Sequence, residues 1–202
     1  SPIVKEDDVE HLVDITYRIS RGQRVRFERI NITGNTITRD KVIRRELGAI
    51  EGEYFSGKAL AKSTRNLYRL GFFEDVEVQT KKGSQDDLMV LDINVKEQPT
   101  GSFSFGAGYS EFENVIGSFN IGQNNLFGRG QKLSGSATIG SRTQNIDVTF
   151  TEPWLFDRPI SGGITFYTWE RQYDEYTRDS FGGSLTVGFP LTYLRLDEFT
   201  RG

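Results

Sequence analysis

The sequence predicts an α+β domain of order β-α-α-β-β, followed by about six antiparallel strands of an incomplete transmembrane β-barrel. Two changes in the sequence near residue 100 lead to this prediction. Of the 22 glycines, 15 lie after Pro99, whereas seven of the eight lysines lie before it. From Gly101 onwards, apolar residues occupy alternate positions, which is typical of strands that present one apolar face. The two halves of the chain therefore face different surroundings.

The N-terminal residues 1–22 are expected to hold the last strand of a preceding domain. A strand is predicted over residues 9–20 because apolar residues alternate there, at Val13, Ile15, Tyr17 and Ile19. No partner for this strand is visible earlier in the sequence. An extra edge strand of the following domain is the alternative.

Residues 23–99 are predicted to form the α+β domain. A strand over residues 24–33 breaks its alternation near Glu28, which indicates a β-bulge. Two further strands are predicted around Val76 and Val78 and over residues 88–95. With two helices on one face of this sheet, the domain is large enough for a modest core.

The two helices of this domain are predicted from their end signals. Thr38 is the expected N-cap of a helix over residues 39–47. Ser56 is the expected N-cap of a second helix, over residues 57–70, which Gly71 terminates.

Residues 100–202 are predicted to form long antiparallel strands, of which Gly101–Ser110 is the first. The centres of the five later strands are marked by Phe119, Ala137, Val148, Ile164 and Val187. Each strand is close to the roughly 9–11 residues that a tilted strand needs to cross a bilayer. Polar connections alternate with connections that carry aromatic residues and proline, as expected when odd and even connections lie on opposite sides of a membrane.

A soluble β-rich binding module, such as a sandwich, is the alternative because its strands alternate in the same way. Two features favour the barrel. The strands are longer than the usual 5–6 residues. Their polar positions are small rather than charged, as at Ser102, Ser104, Ser134, Ser136, Thr138, Thr149, Ser184 and Thr186.

Composition excludes several functional classes. A formal net charge of −3 gives no electrostatic case for nucleic acid, and the absence of cysteine removes disulfides and thiolate metal sites. His11 is the single histidine. We find no constellation for an enzyme, a metal or a cofactor. No run of about 18 apolar residues indicates a transmembrane helix.

Seven segments of the sequence resemble one known family, in order and over nearly the whole chain. Residues 30–36, 42–47 and 66–76 resemble a POTRA domain. Four later segments look like the start of the barrel in BamA-type outer-membrane assembly proteins, namely residues 95–102, 106–110, 125–131 and 151–154. No single segment is decisive, but the set is specific. The family's Val-Arg-Gly-Phe barrel motif and its closing strands are absent from this sequence.

The resemblance implies a last POTRA domain at residues 23–99 and the first barrel strands at residues 100–202. The implied function is assembly and insertion of outer-membrane β-barrel proteins, with the POTRA domain in the periplasm. The implied partners are accessory outer-membrane lipoproteins, unfolded outer-membrane protein clients and the lipid bilayer. Two-partner-secretion and autotransporter-assembly pores share this architecture and form a second alternative.

Two candidate sites lie in the POTRA domain. The edge of its sheet could add a client segment as an extra strand, at Glu74, Asp75, Val76, Glu77, Val78, Gln79 and Thr80. An edge that is merely protected by charge is the alternative. The resemblance also implies a polar contact to an accessory lipoprotein at Arg44, Arg45 and Glu46, with Glu46 the strongest candidate. A solvated helix face is the alternative there.

The third candidate site is the first barrel strand. The resemblance implies that this strand pairs weakly with the last one, so that the seam opens and an incoming strand pairs there. The residues concerned are Gly101, Ser102, Phe103, Ser104, Phe105, Gly106, Ala107, Gly108 and Tyr109. Glycine adds flexibility and removes cross-strand contacts. A glycine-rich strand at a tightly curved position is the alternative.

Overall fold

The computed structural model describes residues 24–190, together with the backbone of two short N-terminal strands. These strands, β1 (Ile3–Asp7) and β2 (Leu12–Thr16), pair with each other in an antiparallel hairpin. The predicted strand over residues 9–20 contains β2, and its remaining residues lie outside the described part. The prediction that no earlier partner exists was wrong, because β1 pairs with β2. The assignment of residues 1–22 to a preceding domain stays a prediction.

The α+β domain has the predicted order β-α-α-β-β. Its elements are β3 (Arg26–Thr33), α1 (Asp40–Arg44), α2 (Gly57–Leu70), β4 (Phe73–Lys82) and β5 (Leu88–Glu97). Strand β5 lies in the centre of the sheet, parallel to β3 and antiparallel to β4. Both outer strands therefore have one edge without a neighbouring strand in the described residues.

Local sequence signals explain several of these boundaries. The Ser56 hydroxyl accepts a hydrogen bond from the Ala59 N–H at 3.3 Å, and so caps α2. Gly71 ends the helix in the left-handed conformation, at φ 70°. The register between β3 and β5 shifts between Phe27 and Arg29, where a bulge was predicted. These three predictions are confirmed.

The core of the domain lies between the helices and one face of the sheet. Alternate residues of β5 and the apolar faces of both helices meet there. The fully buried members are Phe27, Ile43, Leu67, Phe72, Leu91 and Ile93. Their burial stabilises the domain by about 1.5–3 kcal/mol per large side chain.

Six antiparallel strands follow, as predicted. They are β6 (Gly101–Ser110), β7 (Asn114–Leu126), β8 (Gln131–Ile139), β9 (Thr143–Glu152), β10 (Ser161–Gln172) and β11 (Thr177–Gly188). Each pairs with the next along the chain, in one sheet of order β11-β10-β9-β8-β7-β6. Within residues 24–190 the sheet does not close, and β6 and β11 are its edges.

The register sorts the side chains of this sheet into two faces. Phe105 pairs with Phe119, which in turn pairs with Ala137, so these positions share one face. That outer face is apolar over all six strands, as at Phe103, Tyr109, Val115, Ile121, Leu133, Val148, Phe150, Ile164, Phe166, Phe181, Leu185 and Val187. The inner face carries small or polar residues, as at Ser104, Ser118, Ser136 and Thr149.

The α+β domain meets the sheet at one end only. Strand β6 begins after just three residues from the end of β5. The β7–β8 and β9–β10 connections lie at this end. The first contacts the segment that leads into α1, and the second contacts α1 itself through Lys41. The other three connections lie at the opposite end. In the described part of the chain, neither helix is long and apolar enough to cross a membrane.

Candidate functional site

The joint between the two domains is organised by the last residue of β5, Glu97. Its carboxylate accepts hydrogen bonds from three consecutive backbone N–H groups, those of Thr36 at 2.9 Å, Ile37 at 2.8 Å and Thr38 at 2.6 Å. The Thr36 hydroxyl donates a fourth, at 2.8 Å. Strand β5 is thereby tied to the segment before α1, which belongs to the same domain and contacts the six-stranded sheet.

The surroundings of Glu97 favour its charged form. Partial burial raises the pKa of Glu97, but the hydrogen bonds from Thr38, Ile37 and Thr36 more than offset this and lower it to about 2. Charge-assisted hydrogen bonds of this kind are about twice as strong as neutral ones. The carboxylate therefore fixes a loop that has no regular secondary structure of its own.

Thr38 connects the loop before α1 to the six-stranded sheet. Its hydroxyl accepts a hydrogen bond from Asn125 Nδ2 at 2.8 Å, and Asn125 Oδ1 accepts one from the Gly130 N–H at 2.8 Å. Both side chains are buried. The prediction that Thr38 caps α1 was wrong, because the cap residue is Arg39 and no side chain caps this helix. The Thr38 side chain faces the sheet instead.

A close backbone contact reinforces this joint. The Arg39 N–H donates to the Gly128 carbonyl at 2.9 Å. Gly128 has φ 69°, and a β-carbon at this position would lie 1.9 Å from the Ile37 carbonyl oxygen. Only glycine fits this approach, for both conformational and steric reasons.

The predicted partner-binding residues lie beside the β9–β10 connection. The Arg45 guanidinium carbon lies 5.2 Å from the centre of the Trp154 ring, a cation–π distance. Burial lowers the pKa of Arg45, against the effect of Glu46 and other nearby carboxylates. Burial also raises the pKa of Glu46, against the effects of Arg45 and of a hydrogen bond from Trp154. Both side chains therefore already contact the rim of the sheet.

Arg44, the third of these residues, points back into its own domain. Its guanidinium pairs with Asp40 one helical turn earlier, and donates to the Ile30 carbonyl at 2.9 Å. Near it on the edge of β3, the Glu51 carboxylate accepts from the Ile30 N–H at 3.0 Å. The outer edge of β3 is therefore largely occupied by the chain itself.

The predicted client edge is an edge strand, because β4 pairs only with β5 in the described residues. At its start the Val76 N–H points away from β5, toward the Tyr68 hydroxyl at 3.1 Å and the Asp75 carboxylate at 2.9 Å. By the alternation of a strand, the N–H groups of Val78 and Thr80 point the same way. The outward N–H groups that an added strand could bind are therefore those of Val78 and Thr80, and not the whole of residues 74–80.

The predicted barrel seam is also an edge strand. Every residue of β6 is exposed, and the strand pairs only with β7 in the described residues. A β-carbon at Gly106 would lie 2.9 Å from the Ser118 Oγ atom, and one at Gly108 would lie 3.4 Å from Ile116. These two glycines therefore make room for side chains of β7 on the inner face.

The comparisons with known proteins match this architecture in two parts. Residues 25–98 match the POTRA family, described as a surface antigen variable number repeat. Residues 125–200 match the Omp85 superfamily domain. An outer membrane protein assembly factor BamA from Nitratidesulfovibrio vulgaris is 32% identical over 182 residues, which cover 90% of this chain. The chain belongs to the Omp85 superfamily, as a BamA-type protein.

Solved structures agree with this membership. The crystal structure of BamA from Haemophilus ducreyi lacking POTRA domains 1–3 has a TM-score of 0.84 at 28% identity, and the match covers 95% of this chain and 37% of that one. CdiB from Escherichia coli has a TM-score of 0.57 at 14% identity over 92% of this chain and 35% of its own, which shows the fold alone. The chain spans 23% of the length of the Nitratidesulfovibrio vulgaris relative.

Sequence reasoning missed the contacts of the joint. Glu97 and Asn125 lie in two of the segments that resemble the family, residues 95–102 and 125–131, but neither was assigned to a candidate site. Glu97 fixes the loop that carries Thr38, and Asn125 binds Thr38 from the sheet. The Asn125 contact has no local pattern, because Thr38 lies 87 residues away in the sequence.

Proposed function

We propose that this chain takes part in the assembly and insertion of β-barrel proteins in the bacterial outer membrane. The observation that carries the proposal is the position of β6, which is the first strand of the sheet, begins three residues after the POTRA domain and pairs only with β7 among residues 24–190. An exposed edge presents unpaired backbone N–H and C=O groups, with which an incoming strand can pair. The six strands lie in the outer membrane, and the POTRA domain lies in the periplasm.

No covalent chemistry is needed for this function. An incoming strand that pairs with β6 has its backbone N–H and C=O groups hydrogen-bonded. Each such group left without a partner in the hydrocarbon of the bilayer would cost several kcal/mol of free energy. The glycines of β6 give the strand few side-chain contacts with a partner, so a pairing there can be exchanged. The edge thereby lowers the barrier to strand insertion by acting as a template.

A disulfide that locks this seam is expected to abolish assembly. Cysteines would replace Ser104 in β6 and a facing residue in the closing strand of the complete protein. This chain has no native cysteine, and any cysteine elsewhere in the complete protein would be replaced. We expect oxidised cells to stop growing and a reductant to restore growth.

A second disulfide serves as the control for this lock. Ser104 and Asn120 already face each other across the β6–β7 pair, so a disulfide between them should be tolerated. Normal growth with the seam locked would contradict a role for the seam in assembly.

The POTRA edge is proposed as a second place where clients bind, as an added strand on β4. The unoccupied N–H groups at Val78 and Thr80 support this proposal, while the charged side chains of Glu74, Glu77 and Lys81 limit it to transient pairing. Such pairing suits a client that must move on to the barrel.

We expect Thr80→Pro to weaken client binding to the POTRA edge, because proline removes an outward N–H without removing a bond to β5. The loss should be about fivefold, since one net hydrogen bond contributes about 1 kcal/mol. Crosslinking of an unfolded client segment to β4 measures it. Thr80→Ala, which keeps the N–H, is the matched control, and equal crosslinking in both variants would refute the proposal.

Arg45 and Glu46, which directly follow α1, are proposed as a contact for an accessory lipoprotein, while Arg44 holds the end of the helix against its own domain. Glu46→Lys should weaken lipoprotein binding at least about 30-fold, as expected for a reversed charge at a polar contact. Co-purification of the lipoprotein with the complete protein measures it. Glu53→Lys, on an exposed loop of the same domain, is the control.

The contact of Glu46 with Trp154 requires one further variant. Trp154→Phe removes the indole N–H but keeps the Glu46 side chain, so it separates loss of the rim contact from loss of the lipoprotein contact. Lipoprotein binding that survives Glu46→Lys rules out this assignment.

A further inference from the structure

Three large apolar side chains are exposed where the POTRA domain meets the sheet. Ile37, in the loop before α1, is 67% exposed, while Phe127 and Phe156, in the two adjoining connections, are 77% and 86% exposed. Both phenylalanines have a left-handed backbone, with φ 53° and 54°. That conformation costs on the order of 1 kcal/mol or more for such residues. The fold therefore keeps these two aromatic side chains exposed at this end of the molecule in spite of a conformational cost.

These side chains adjoin the apolar outer face of the sheet. Ile37 and Phe127 line one cavity of about 580 Å³, together with Gly101 and Gln123. Gly101 and Gln123 face each other across the β6–β7 pair, at positions in step with Phe103 and Ile121 on the outer face. Leu155, which precedes Phe156, packs beside Gly162 on the outer face, since a β-carbon at Gly162 would lie 3.5 Å from the Leu155 side chain. The exposed cluster is therefore continuous with the face that the bilayer covers.

Cations surround the same end of the outer face. Arg39, Lys41 and Arg129 line a second cavity of about 230 Å³, whose walls on the sheet include the outer-face residue Glu152. Lys41 Nζ pairs with an Asp157 carboxylate oxygen at 2.6 Å. Among residues 24–190, no carboxylate lies within 4 Å of the Arg39 or Arg129 guanidinium. Two free guanidinium groups beside apolar side chains match the phosphates and acyl chains of a lipid surface.

The loop that presents Ile37 is rigid. The Glu97 carboxylate binds the N–H groups on either side of this residue as well as its own. The main chain of Ile37 also packs against Gly128 of the β7–β8 connection. An exposed apolar residue on a fixed loop contacts a partner without an ordering cost.

We propose that residues 37–41 of the POTRA domain, with Phe127 and Phe156, anchor the domain on the phospholipids of the bilayer leaflet that faces it. Ile37 and the two phenylalanines enter the acyl-chain boundary, and Arg39 and Arg129 bind lipid phosphates. The anchor holds the domain at a fixed height and angle below β6. This inference rests on the proposed function, since it requires the six strands to lie in the bilayer.

Spin labels on single cysteines test the anchor in the complete protein, reconstituted in vesicles of phosphatidylethanolamine and phosphatidylglycerol. The chain contributes no native cysteine, and any elsewhere would be replaced. The labels go to Ile37, to Phe105 on the outer face of β6, and to Ser84 in the β4–β5 hairpin. The measured quantity is the ratio of collision rates with oxygen and with a water-soluble nickel complex, which rises inside a bilayer.

We expect the Ile37 ratio to exceed the Ser84 ratio at least about threefold and to approach that of Phe105. An Ile37 ratio equal to that of Ser84, with Phe105 in lipid, would overturn the anchor and leave the proposed function intact. A low ratio at Phe105 as well would show that the strands are not in the bilayer, and would overturn both. Low collision rates of the Ile37 label with both oxygen and the nickel complex would indicate that another protein covers this residue, and would also overturn the anchor.

Discussion

Replacing Glu97 by glutamine is expected to destabilise the POTRA domain and loosen its joint with the sheet. A glutamine oxygen can still accept one or two of the hydrogen bonds, but the charge is lost and the new NH₂ group faces backbone donors. Bonds to charged acceptors contribute about 1.5–3 kcal/mol each, so we expect a loss of roughly 2–4 kcal/mol in the free energy of opening this region. That is a large part of the stability of a small domain.

Hydrogen–deuterium exchange of the Thr36, Ile37 and Thr38 amides measures this loss directly. The matched control is Glu77→Gln, which makes the same chemical change on an exposed carboxylate whose one bond is with Gln79. Exchange that is equally slow in the wild type and in Glu97→Gln would contradict the role assigned to the carboxylate.

The same carboxylate gives the joint a defined pH dependence. Because the pKa of Glu97 falls from an ordinary 4.5 to about 2 in the folded state, its contribution is fully present above pH 4.5. It is lost as the pH falls from 4.5 through 2, where the folded state also takes up the proton. The difference between the wild type and Glu97→Gln should therefore shrink over this interval and stay constant from pH 5 upwards.

Replacing Gly128 by alanine is expected to separate the POTRA domain from the β7–β8 connection. The new methyl group would lie 1.9 Å from the Ile37 carbonyl oxygen, and alanine is disfavoured at φ 69°. Strain and overpacking together cost about 2–5 kcal/mol. The two hydrogen bonds that cross this contact, Arg39 to Gly128 and Asn125 to Thr38, contribute about 1 kcal/mol each. The free-energy cost of the clash exceeds the contribution of these two hydrogen bonds, so we expect the loop before α1 to separate from the β7–β8 connection.

Spin labels on Lys58 in α2 and Glu175 in the β10–β11 connection report the opening as a distance distribution. Both side chains are exposed, and Glu175 lies in a connection at the opposite end of the sheet from the joint. We expect a broader and longer distribution for Gly128→Ala than for the wild type. Gly117→Ala is the control, because a β-carbon there would meet nothing closer than 3.9 Å. A distribution identical to that of the wild type would show that the joint does not depend on this contact.

Periodicity and end signals were sufficient for most of the fold. The six strands from β6 to β11 follow from alternation of apolar residues, because a sheet with one lipid-facing side leaves a period of two in the sequence. Ser56 and Gly71 mark the ends of α2 because their roles depend only on neighbouring residues. The first of these strands, Gly101–Ser110, was located in the same way, and its role as the seam stays a prediction.

The joint could not be predicted because its contacts connect distant residues. Thr38 precedes a helix and therefore has the local pattern of a cap, but the tertiary contact with Asn125 takes its hydroxyl. Glu97 is one of many acidic residues in the sequence, and its role depends on a loop that β5 meets only after folding. The pairing of Arg45 with Trp154 also joins residues more than a hundred positions apart.

The most direct test of the central claim is photocrosslinking of clients to β6 during assembly. A photoreactive residue would replace Phe105 in β6 or Val148 in β9, which lie on the same outer face. These positions differ in that, among residues 24–190, β6 pairs with one strand, whereas β9 is paired on both sides. We predict that a newly arriving barrel protein crosslinks at Phe105 and not at Val148. Equal yields at both positions, or none at Phe105, would contradict the claim that β6 is the strand on which clients are assembled.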